Sequence, residues 1–515
     1  MPSNTVRIAK NTLALYFRQI LSMLVSLYTV RVVLEALGAE DYGIYNVVSG
    51  IVVLFSFLNG AMTSATQRFL NYYTSGQNNI EEARDVYSIS LILHLILAVI
   101  LIIPAETLGL WFLRTHLNIP IDRQKAALIV YQFSIFLMVI SILRVPYNAT
   151  VIAYEKMSFF AWVSIIENIL RLSVAFLLII INYDSLILYA FLFCIVGIII
   201  YLIYKIYCNK KFEIAHFRYC KDRPLYKKII AFSSWSIFGG IANVSSSHGT
   251  NILLNLFTNV RINAAMGIAT QVNTAVYSFV SSFQTAFNPQ IIKSYAAKEY
   301  DRFMRLIFQT SKFSFYLLYF FVLPLFINAE FVLRLWLKNV PEYCLTFTRL
   351  FLLFSLVDAI CGPLWMSIQA TGNIKKYQVI VSCFIFANLP LSFIFLYLGY
   401  SPVWVMIIKV ILNVLTLIWR LFFLHNRIHL PVLAFFNEVI FPIILISAIS
   451  SSITLYLFGM FNGLLKFFVS CMSSVVIILF LVCFIGFNKH EKERLGKWIK
   501  IFFKKEQEIC QNQRY

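Results

Sequence analysis

Apolar residues in this chain occur in long runs that short polar clusters separate. Most runs contain about 20 residues, the length of an α-helix that crosses the hydrocarbon core of a bilayer. Membrane β-strands fit poorly, because the runs are too long and do not alternate apolar with polar positions. The pattern predicts about fourteen transmembrane helices, at residues 11–33, 44–67, 86–104, 126–148, 159–181, 186–207, 229–256, 263–289, 307–328, 345–369, 378–398, 402–424, 438–458 and 463–487.

The second and eighth predicted helices share a polar pattern. A shift of 222 positions without a gap places Ser49, Ser56, Asn59, Thr63 and Thr66 on Gln271, Ser278, Ser281, Thr285 and Asn288. In the eighth helix these polar side chains recur every three or four residues with Thr274, so they form one continuous stripe. The first and seventh helices carry stripes as well, which include Arg18 and Asn243. Lipid is a poor environment for such stripes, so they should face other helices or water.

The repeat predicts an all-α polytopic membrane protein with two pseudo-symmetric six-helix bundles and two C-terminal helices. The two bundles would face each other across a wet cleft, the arrangement of alternating-access transporters. The alternative is that the stripes are only hydrogen-bonded helix contacts. The predicted parts are an N-terminal bundle at 1–207, a basic cytoplasmic loop at 208–228, a C-terminal bundle at 229–424, two further spans at 425–487 and a basic amphipathic tail at 488–515.

Composition excludes an ordinary soluble enzyme. Of 515 residues, 60% are hydrophobic and only 13% are charged, too few charges to cover a water-facing surface. The net charge of +20 does not indicate a nucleic-acid partner, because no soluble basic segment with interleaved aromatic residues is present. Lysine and arginine instead collect on one side of the predicted spans, which predicts that both termini are cytoplasmic. The basic tail would lie on the anionic inner leaflet as a helix, or form a disordered solubilising segment.

Ionisable side chains inside the predicted spans are the candidate functional residues, because unpaired charges at that depth cost several kcal/mol. Glu167 and Arg171 are four residues apart and can neutralise each other, and Asp358 and Lys409 can pair between helices. Arg18 and Arg144 then remain without an obvious acidic partner. A surplus of cations in a wet cleft favours an anionic ligand, above all a phosphate. Each arginine can alternatively reach toward the lipid headgroups.

These considerations give two sets of predicted site residues. The predicted substrate-binding residues are Arg18, Arg144, Arg171, Lys409, Gln271 and Asn243. Glu167, Asp358 and His248 are predicted to couple transport to an ion, and His94 is a weaker candidate for proton coupling. The nine cysteines occur singly without a CxxC pair, so we predict no disulfide and no metal site. We also predict no cofactor and no ATP-driven transport, because the chain has no GxxxxGK[ST] loop.

Four segments carry a resemblance to a known family: LEALGAEDYGIYNVV at 34–48, FLNGAMTSATQRFLNYY at 57–73, NAAMGIATQV at 263–272 and QATGNIKKYQVI at 369–380. With these segments the chain resembles the polysaccharide transporter branch of the multidrug/oligosaccharidyl-lipid/polysaccharide exporter superfamily. The resemblance implies fourteen helices in two bundles and a cationic residue on the first helix, a place that Arg18 occupies. It also implies a flippase in the bacterial inner membrane, which moves undecaprenyl-diphosphate-linked oligosaccharides such as O-antigen or capsule units to the periplasmic leaflet.

The resemblance implies no enzymatic activity. Expected partners are the lipid-linked oligosaccharide, membrane lipids and the glycosyltransferases and polymerase of lipopolysaccharide or related polysaccharide biosynthesis. One alternative is an ion-coupled multidrug exporter with the same fold, which should place carboxylates rather than cations in its cleft. A membrane glycosyltransferase or polymerase is a weaker alternative, because the chain has no large periplasmic loop with paired carboxylates or arginines.

Overall fold

The computed structural model describes residues 17–22, 25, 28–29, 32–33, 35–38, 41, 44–45, 48–49, 56–74, 80–116, 119–181, 183–258, 260–337, 340–461, 463–488 and 491. Within these residues the chain is helical and contains no strand. The α-helices are α1 Ser56–Tyr73, α2 Ile80–Pro104, α3 Leu110–His116, α4 Gln124–Ala153, α5 Met157–Ile180, α6 Ser185–Lys211, α7 Arg223–Phe257, α8 Val260–Ala296, α9 Tyr300–Ile327, α10 Ala329–Leu337, α11 Cys344–Thr371, α12 Lys375–Tyr397, α13 Val403–Ile428, α14 Val432–Phe435, α15 Phe441–Met460 and α16 Gly463–Leu481.

The all-helical, polytopic membrane fold confirms the fold class predicted from the sequence. Eleven helices in the described part of the chain are long and apolar enough to cross a membrane. Helix α8 has the length of a span but is not among them, because its stripe of hydroxyl and amide side chains lowers its apolar content. The first predicted span is described only in part, and the tail beyond Glu491 lies outside the described residues.

Local sequence signals fix the ends of several helices. At the start of α6, Asp184 Oδ1 accepts hydrogen bonds from the backbone N–H groups of Leu186 and Ile187, which satisfies two donors that the helix itself leaves unpaired. Lys210 and Lys211 occupy the last turn of α6, where positive charge complements the helix dipole. Helix α11 ends before Gly372, whose φ of +79° lies in the left-handed region that glycine adopts most easily.

The chain divides into two compact units. The first contains Met1–Thr250, Ser281–Leu306 and Trp365–Pro390. Its centre is α4, which packs against α1, α2, α5 and α6. Near the start of α4, Arg123 forms ion pairs of 2.7 Å with both Asp41 and Asp184. Arg123 therefore joins the turn after the first predicted span, the start of α4 and the start of α6.

The second unit contains Asn251–Val280, Ile307–Leu364 and Leu391–Tyr515. Helices α15 and α16 pack against each other within it. In α9, Lys312 is 2% exposed and forms an ion pair of 2.7 Å with Glu491, which follows the last span. The two units do not follow the predicted boundaries at 207 and 424, because parts of α7, α8, α9, α11 and α12 belong to each unit. The division into bundles stays a prediction.

Candidate functional site

Arg18 is the first of the predicted site residues. Its Nη2 donates to Ser282 Oγ of α8 at 3.3 Å and to Gln19 Oε1 at 3.4 Å, and its guanidinium carbon lies 5.0 Å from the centre of the Phe160 ring. Among the described residues no carboxylate lies within 4.0 Å of Arg18, and its buried Nε has no hydrogen-bond partner. The cation is therefore held in place by neutral groups and keeps unused hydrogen-bonding capacity.

Arg144 and Arg171 share one carboxylate. Glu167 Oε2 accepts from Arg144 at 3.2 Å, and Glu167 Oε1 accepts from Arg171 at 2.6 Å. The pairing of Glu167 with Arg171 agrees with the sequence analysis. The expectation that Arg144 has no acidic partner is wrong, because α5 packs beside α4 and brings Glu167 to both arginines. An i to i+4 spacing detects only the partner on the same helix.

Tyr204 of α6 connects the arginines. Its ring centre lies 6.0 Å from the guanidinium carbon of Arg144, and its hydroxyl is within electrostatic range of Arg18, Arg144 and Glu167. Arg144 and Arg171 thus share Glu167, and Arg18 lies in the same unit within electrostatic range of Tyr204; we call these three arginines the arginine cluster. Three arginines against one carboxylate leave an excess of positive charge.

Lys409 and Asp358 belong to the second unit. Lys409 Nζ lies 5.1 and 5.0 Å from the ring centres of Phe351 and Phe354, and Asp358 Oδ2 accepts a hydrogen bond of 2.8 Å from Tyr277. Asp358 acts on the Lys409 charge, but within the described chain the two do not form the expected ion pair of 4.0 Å or less. Tyr277 is therefore the hydrogen-bond partner of the Asp358 carboxylate, where Lys409 was predicted.

The remaining predicted residues are not drawn together. Gln271 is exposed on the part of α8 that belongs to the second unit. Asn243 donates at 2.9 Å to the Gly239 carbonyl of its own helix, and the His248 side chain lies outside the described residues. His94 is fully buried and its Nδ1 lies 2.7 Å from the Ser90 carbonyl oxygen. Of the described side chains in the first unit, Asn243 and His94 each bond within their own helix and do not contact each other.

A cavity of about 190 Å³ lies within the first unit. Its lining combines amide and hydroxyl side chains, one arginine, one aromatic ring and three apolar side chains. The lining residues are Gln67, Arg68, Asn71, Ile152, Phe160, Thr285, Asn288, Ile292, Met366 and Gln369. Thr285 and Asn288 come from the predicted polar stripe of α8. Phe160 both lines the cavity and contacts Arg18, so Arg18 lies beside one wall residue of this space.

Arg68 supplies the positive charge of the cavity wall. Its Nε donates to the Gln369 carbonyl at 3.0 Å and its Nη2 to the Ala370 carbonyl at 3.4 Å, and its guanidinium carbon lies 4.4 Å from the Phe69 ring centre. The side chain is buried. Arg68 was not among the predicted site residues, because it lies just after a predicted span and counts there as an ordinary inside charge. The one signal in the sequence was its position in the family-like segment at 57–73.

The internal repeat relates the contact of Arg68 to a contact of Gln290. A shift of 222 places Arg68 on Gln290 in α8. Gln290 Nε2 donates to the buried Glu155 Oε1 at 2.6 Å, and Lys293 Nζ donates to the Ala153 carbonyl at 2.7 Å. Glu155 follows α4 with a φ of 56°, much as Gly372 follows α11. The end of α1 thus contacts the turn after α11, and the end of α8 contacts the turn after α4.

Within the described residues, no group of three or more histidine, cysteine, aspartate or glutamate side chains could hold a metal ion. The cavity wall itself offers guanidinium, amide and hydroxyl groups, which can bind anions and hydroxylated ligands.

Comparisons with known proteins agree with the fold. The model of the family described as "Polysaccharide biosynthesis protein" matches residues 8–294, and the MatE family model matches residues 233–394. Comparison with curated proteins found no match.

Solved structures share the fold at low sequence identity. An outward-facing multidrug resistance MATE family transporter of the MOP superfamily has a TM-score of 0.68 and 16% identity, with 82% of this chain and 96% of that chain covered. A MATE crystal structure in the straight conformation gives the same four values. A MOP superfamily transporter from Pyrococcus furiosus, described as having a binding pocket of reverse polarity that suggests a different function, has a TM-score of 0.66 and 15% identity, with coverage of 83% and 96%.

The polysaccharide biosynthesis model covers more than half of the chain, and the similar structures extend the likeness to most of it. The chain therefore shares the multi-pass membrane fold of these transporters and belongs to the family described as "Polysaccharide biosynthesis protein".

Proposed function

We propose that this protein moves an undecaprenyl-diphosphate-linked oligosaccharide from the cytoplasmic to the periplasmic leaflet of the bacterial inner membrane. The family supports a role in polysaccharide biosynthesis. The observation that carries the proposal is Arg18, a cation in the first predicted span that has only neutral partners among the described residues. A diphosphate is the ligand that such a group recognises best, because guanidinium and phosphate can form two parallel charge-assisted hydrogen bonds.

The three arginines of the cluster have different roles in this proposal. Arg18 contacts the diphosphate directly. Arg144 and Arg171 are already paired with Glu167 and contribute mainly through their net positive charge. The polyprenyl tail stays in lipid. The sugars move past the polar stripes while the cleft between the bundles opens alternately to the two sides of the membrane. The membrane potential can drive the step, because moving one elementary charge through 100 mV changes its free energy by roughly 2.3 kcal/mol.

The direction of transport rests on the predicted orientation. With both termini in the cytoplasm, the lysine- and arginine-rich segments lie on the inside, as the positive-inside rule requires. In that orientation the ends of α1, α4, α8 and α11, which build the cavity, are on the cytoplasmic side. The head group would then enter the protein close to the cavity and to Arg18.

A strain that lacks this gene tests the proposal after complementation with variants. Arg18→Ala should abolish surface polysaccharide at normal membrane abundance, and Arg18→Lys should restore part of it because the charge is kept. Arg114→Ala is the matched control, since Arg114 is exposed. Normal polymer in the Arg18→Ala strain, with the protein present at wild-type abundance, would overturn the proposed role of the cation.

An ion-coupled multidrug exporter is the second candidate. The MatE match and the MATE structures favour it. The arginine cluster argues against a cationic drug, because the excess charge in this part of the first unit is positive. The Pyrococcus furiosus transporter, described as having a pocket of reverse polarity, is a precedent for different functions on this fold. Drug susceptibility of the deletion strain separates the candidates, since the flippase proposal predicts no change and the exporter requires a loss of resistance.

A further inference from the structure

The cavity beside Arg18 contains amide groups that the protein leaves unpaired. Asn71 is 2% exposed, and its buried Oδ1 has no hydrogen-bond partner within the described residues. Across the part of the chain that the structure describes, the Gln67 and Asn288 amides also form no hydrogen bond. An unpaired buried amide oxygen costs roughly 1–3 kcal/mol. The Asn71 oxygen is such a group, and Gln67 and Asn288 are half-buried in the same wall, so a ligand in the cavity can satisfy all three amides.

The size of the cavity limits what can occupy it. Its volume of about 190 Å³ is below the roughly 300–1,000 Å³ of pockets for drug-sized ligands. At roughly 30 Å³ per molecule, the space would hold about six waters. A single sugar ring is of comparable size, and a whole oligosaccharide is not. The cavity is therefore suited to one residue of a larger head group.

The chemistry of the wall matches a sugar ring. Each carboxamide offers both donors and an acceptor, which is what the hydroxyl or acetamido groups of a pyranose require. Thr285 adds a hydroxyl, and Phe160 adds an aromatic ring. Phe160 also lies 5.0 Å from the Arg18 guanidinium carbon, so a sugar ring whose anomeric carbon points toward Phe160 would present its phosphate to Arg18.

We propose that this cavity binds the first sugar of the lipid-linked oligosaccharide, with Asn71, Gln67 and Asn288 hydrogen-bonded to its hydroxyl or acetamido groups. The inference rests on the proposed function, because it takes the diphosphate beside Arg18 as the neighbouring part of the same ligand. It adds a separate contact that recognises sugar. The amides form hydrogen bonds with the sugar, and Arg18 binds the diphosphate.

Two kinds of lipid separate these contributions. The purified full chain in lipid nanodiscs is titrated with undecaprenyl diphosphate alone, and with undecaprenyl diphosphate that carries either N-acetylglucosamine or galactose. The wild type should bind at least one sugar-bearing lipid about tenfold more tightly than the sugar-free lipid, which is the contribution of one or two neutral hydrogen bonds. Asn71→Leu and Asn288→Leu should remove this gain and leave binding of the sugar-free lipid unchanged.

Asn148→Leu is the matched control, because the Asn148 Oδ1 is also buried without a partner in the described structure but does not line the cavity. This variant should keep the gain from the sugar. Arg18→Ala should weaken the binding of all three lipids. The sugar site is overturned if neither sugar increases the affinity of the wild type, or if Asn71→Leu binds the sugar-bearing lipid as tightly as the wild type, in which case the cavity holds water only. Failure of all three lipids to bind would overturn the proposed function itself.

Discussion

Arg68 lies directly against Gly372, in the turn that follows α11. A methyl group added at Gly372 would overlap Arg68 Nη2, and the φ of +79° at this glycine already disfavours other residues. Gly372→Ala should therefore lower the melting temperature of the purified protein for two reasons. The left-handed conformation costs about 1–2 kcal/mol, and displacement of Arg68 from the Gln369 and Ala370 carbonyls adds about 1–3 kcal/mol.

Gly399 is the matched control for this substitution. Its φ is +80°, and a methyl group there would meet no atom within 4 Å. Gly399→Ala should show the conformational cost alone. In a double-mutant cycle, Arg68→Ala should reduce the effect of Gly372→Ala to the Gly399→Ala level. Equal melting temperatures for Gly372→Ala and Gly399→Ala would show that Arg68 does not depend on this turn.

The carboxylate of Glu167 holds two arginines, and its removal should cost more than the removal of either one. Glu167→Gln leaves Arg144 and Arg171 as neighbouring unpaired cations, which should destabilise the protein by about 3 kcal/mol. Arg171→Gln should have a smaller effect, because Arg171 is 43% exposed and the Arg144 pair survives. Fluorescence-detected size-exclusion chromatography after graded heating compares the two. A more stable Glu167→Gln than Arg171→Gln would contradict the shared pairing.

Arg123 bridges Asp41 and Asp184, so Arg123→Ala should destabilise the first unit. Both carboxylates lose their arginine, and Asp41 is buried; we expect a loss of about 2–3 kcal/mol. Arg334→Ala is the comparison, because its ion pair with Glu330 is 70% and 56% exposed and such surface pairs contribute at most about 1 kcal/mol. The two melting temperatures measured side by side test the claim, which fails if Arg334→Ala has the larger effect.

The buried pair of Lys312 and Glu491 should respond differently to single and double replacement. Glu491→Leu leaves a lysine that is 2% exposed without its counter-ion, at a cost of about 3–5 kcal/mol. Lys312→Met combined with Glu491→Leu removes both charges and should recover most of that loss. Membrane abundance and melting temperature of the single and double variants give the answer. A double variant as unstable as Glu491→Leu would show that the pair is not the stabilising element.

Most of the fold could be predicted from the sequence, because a membrane helix can be recognised from the length and the apolar composition of its segment. The run that became α6, Ser185–Lys211, is one example. The polar stripe of α8 could also be predicted, because the spacing of three or four residues between polar positions lies within a single helical segment. What the sequence could not give is which side chains meet between helices. Arg144 shows this, because its partner Glu167 lies 23 positions away on another helix.

The site was predictable only in part, for the same reason. Arg18 stands out because a lone cation in an apolar run has few structural explanations. Arg68 lies at the end of a span, where basic residues are common, and its burial depends on carbonyl groups about 300 positions away. Backbone acceptors of this kind leave no mark in the sequence. The proposed role of Asn71 could not be predicted from the sequence either. It depends on the buried Oδ1 having no hydrogen-bond partner in the described structure, which only the structure shows.

The most direct test of the central claim is leaflet exchange in proteoliposomes that contain the purified protein. A fluorescent undecaprenyl-diphosphate-linked sugar is incorporated, and the fraction accessible to a membrane-impermeant quencher is followed with time. The wild type should move the lipid well above the rate in empty vesicles. Arg18→Ala should reduce the rate at least tenfold, the loss expected for one charge-assisted contact, while Arg114→Ala keeps it. Exchange at the wild-type rate by Arg18→Ala would contradict the account that a cation on the first helix grips the diphosphate.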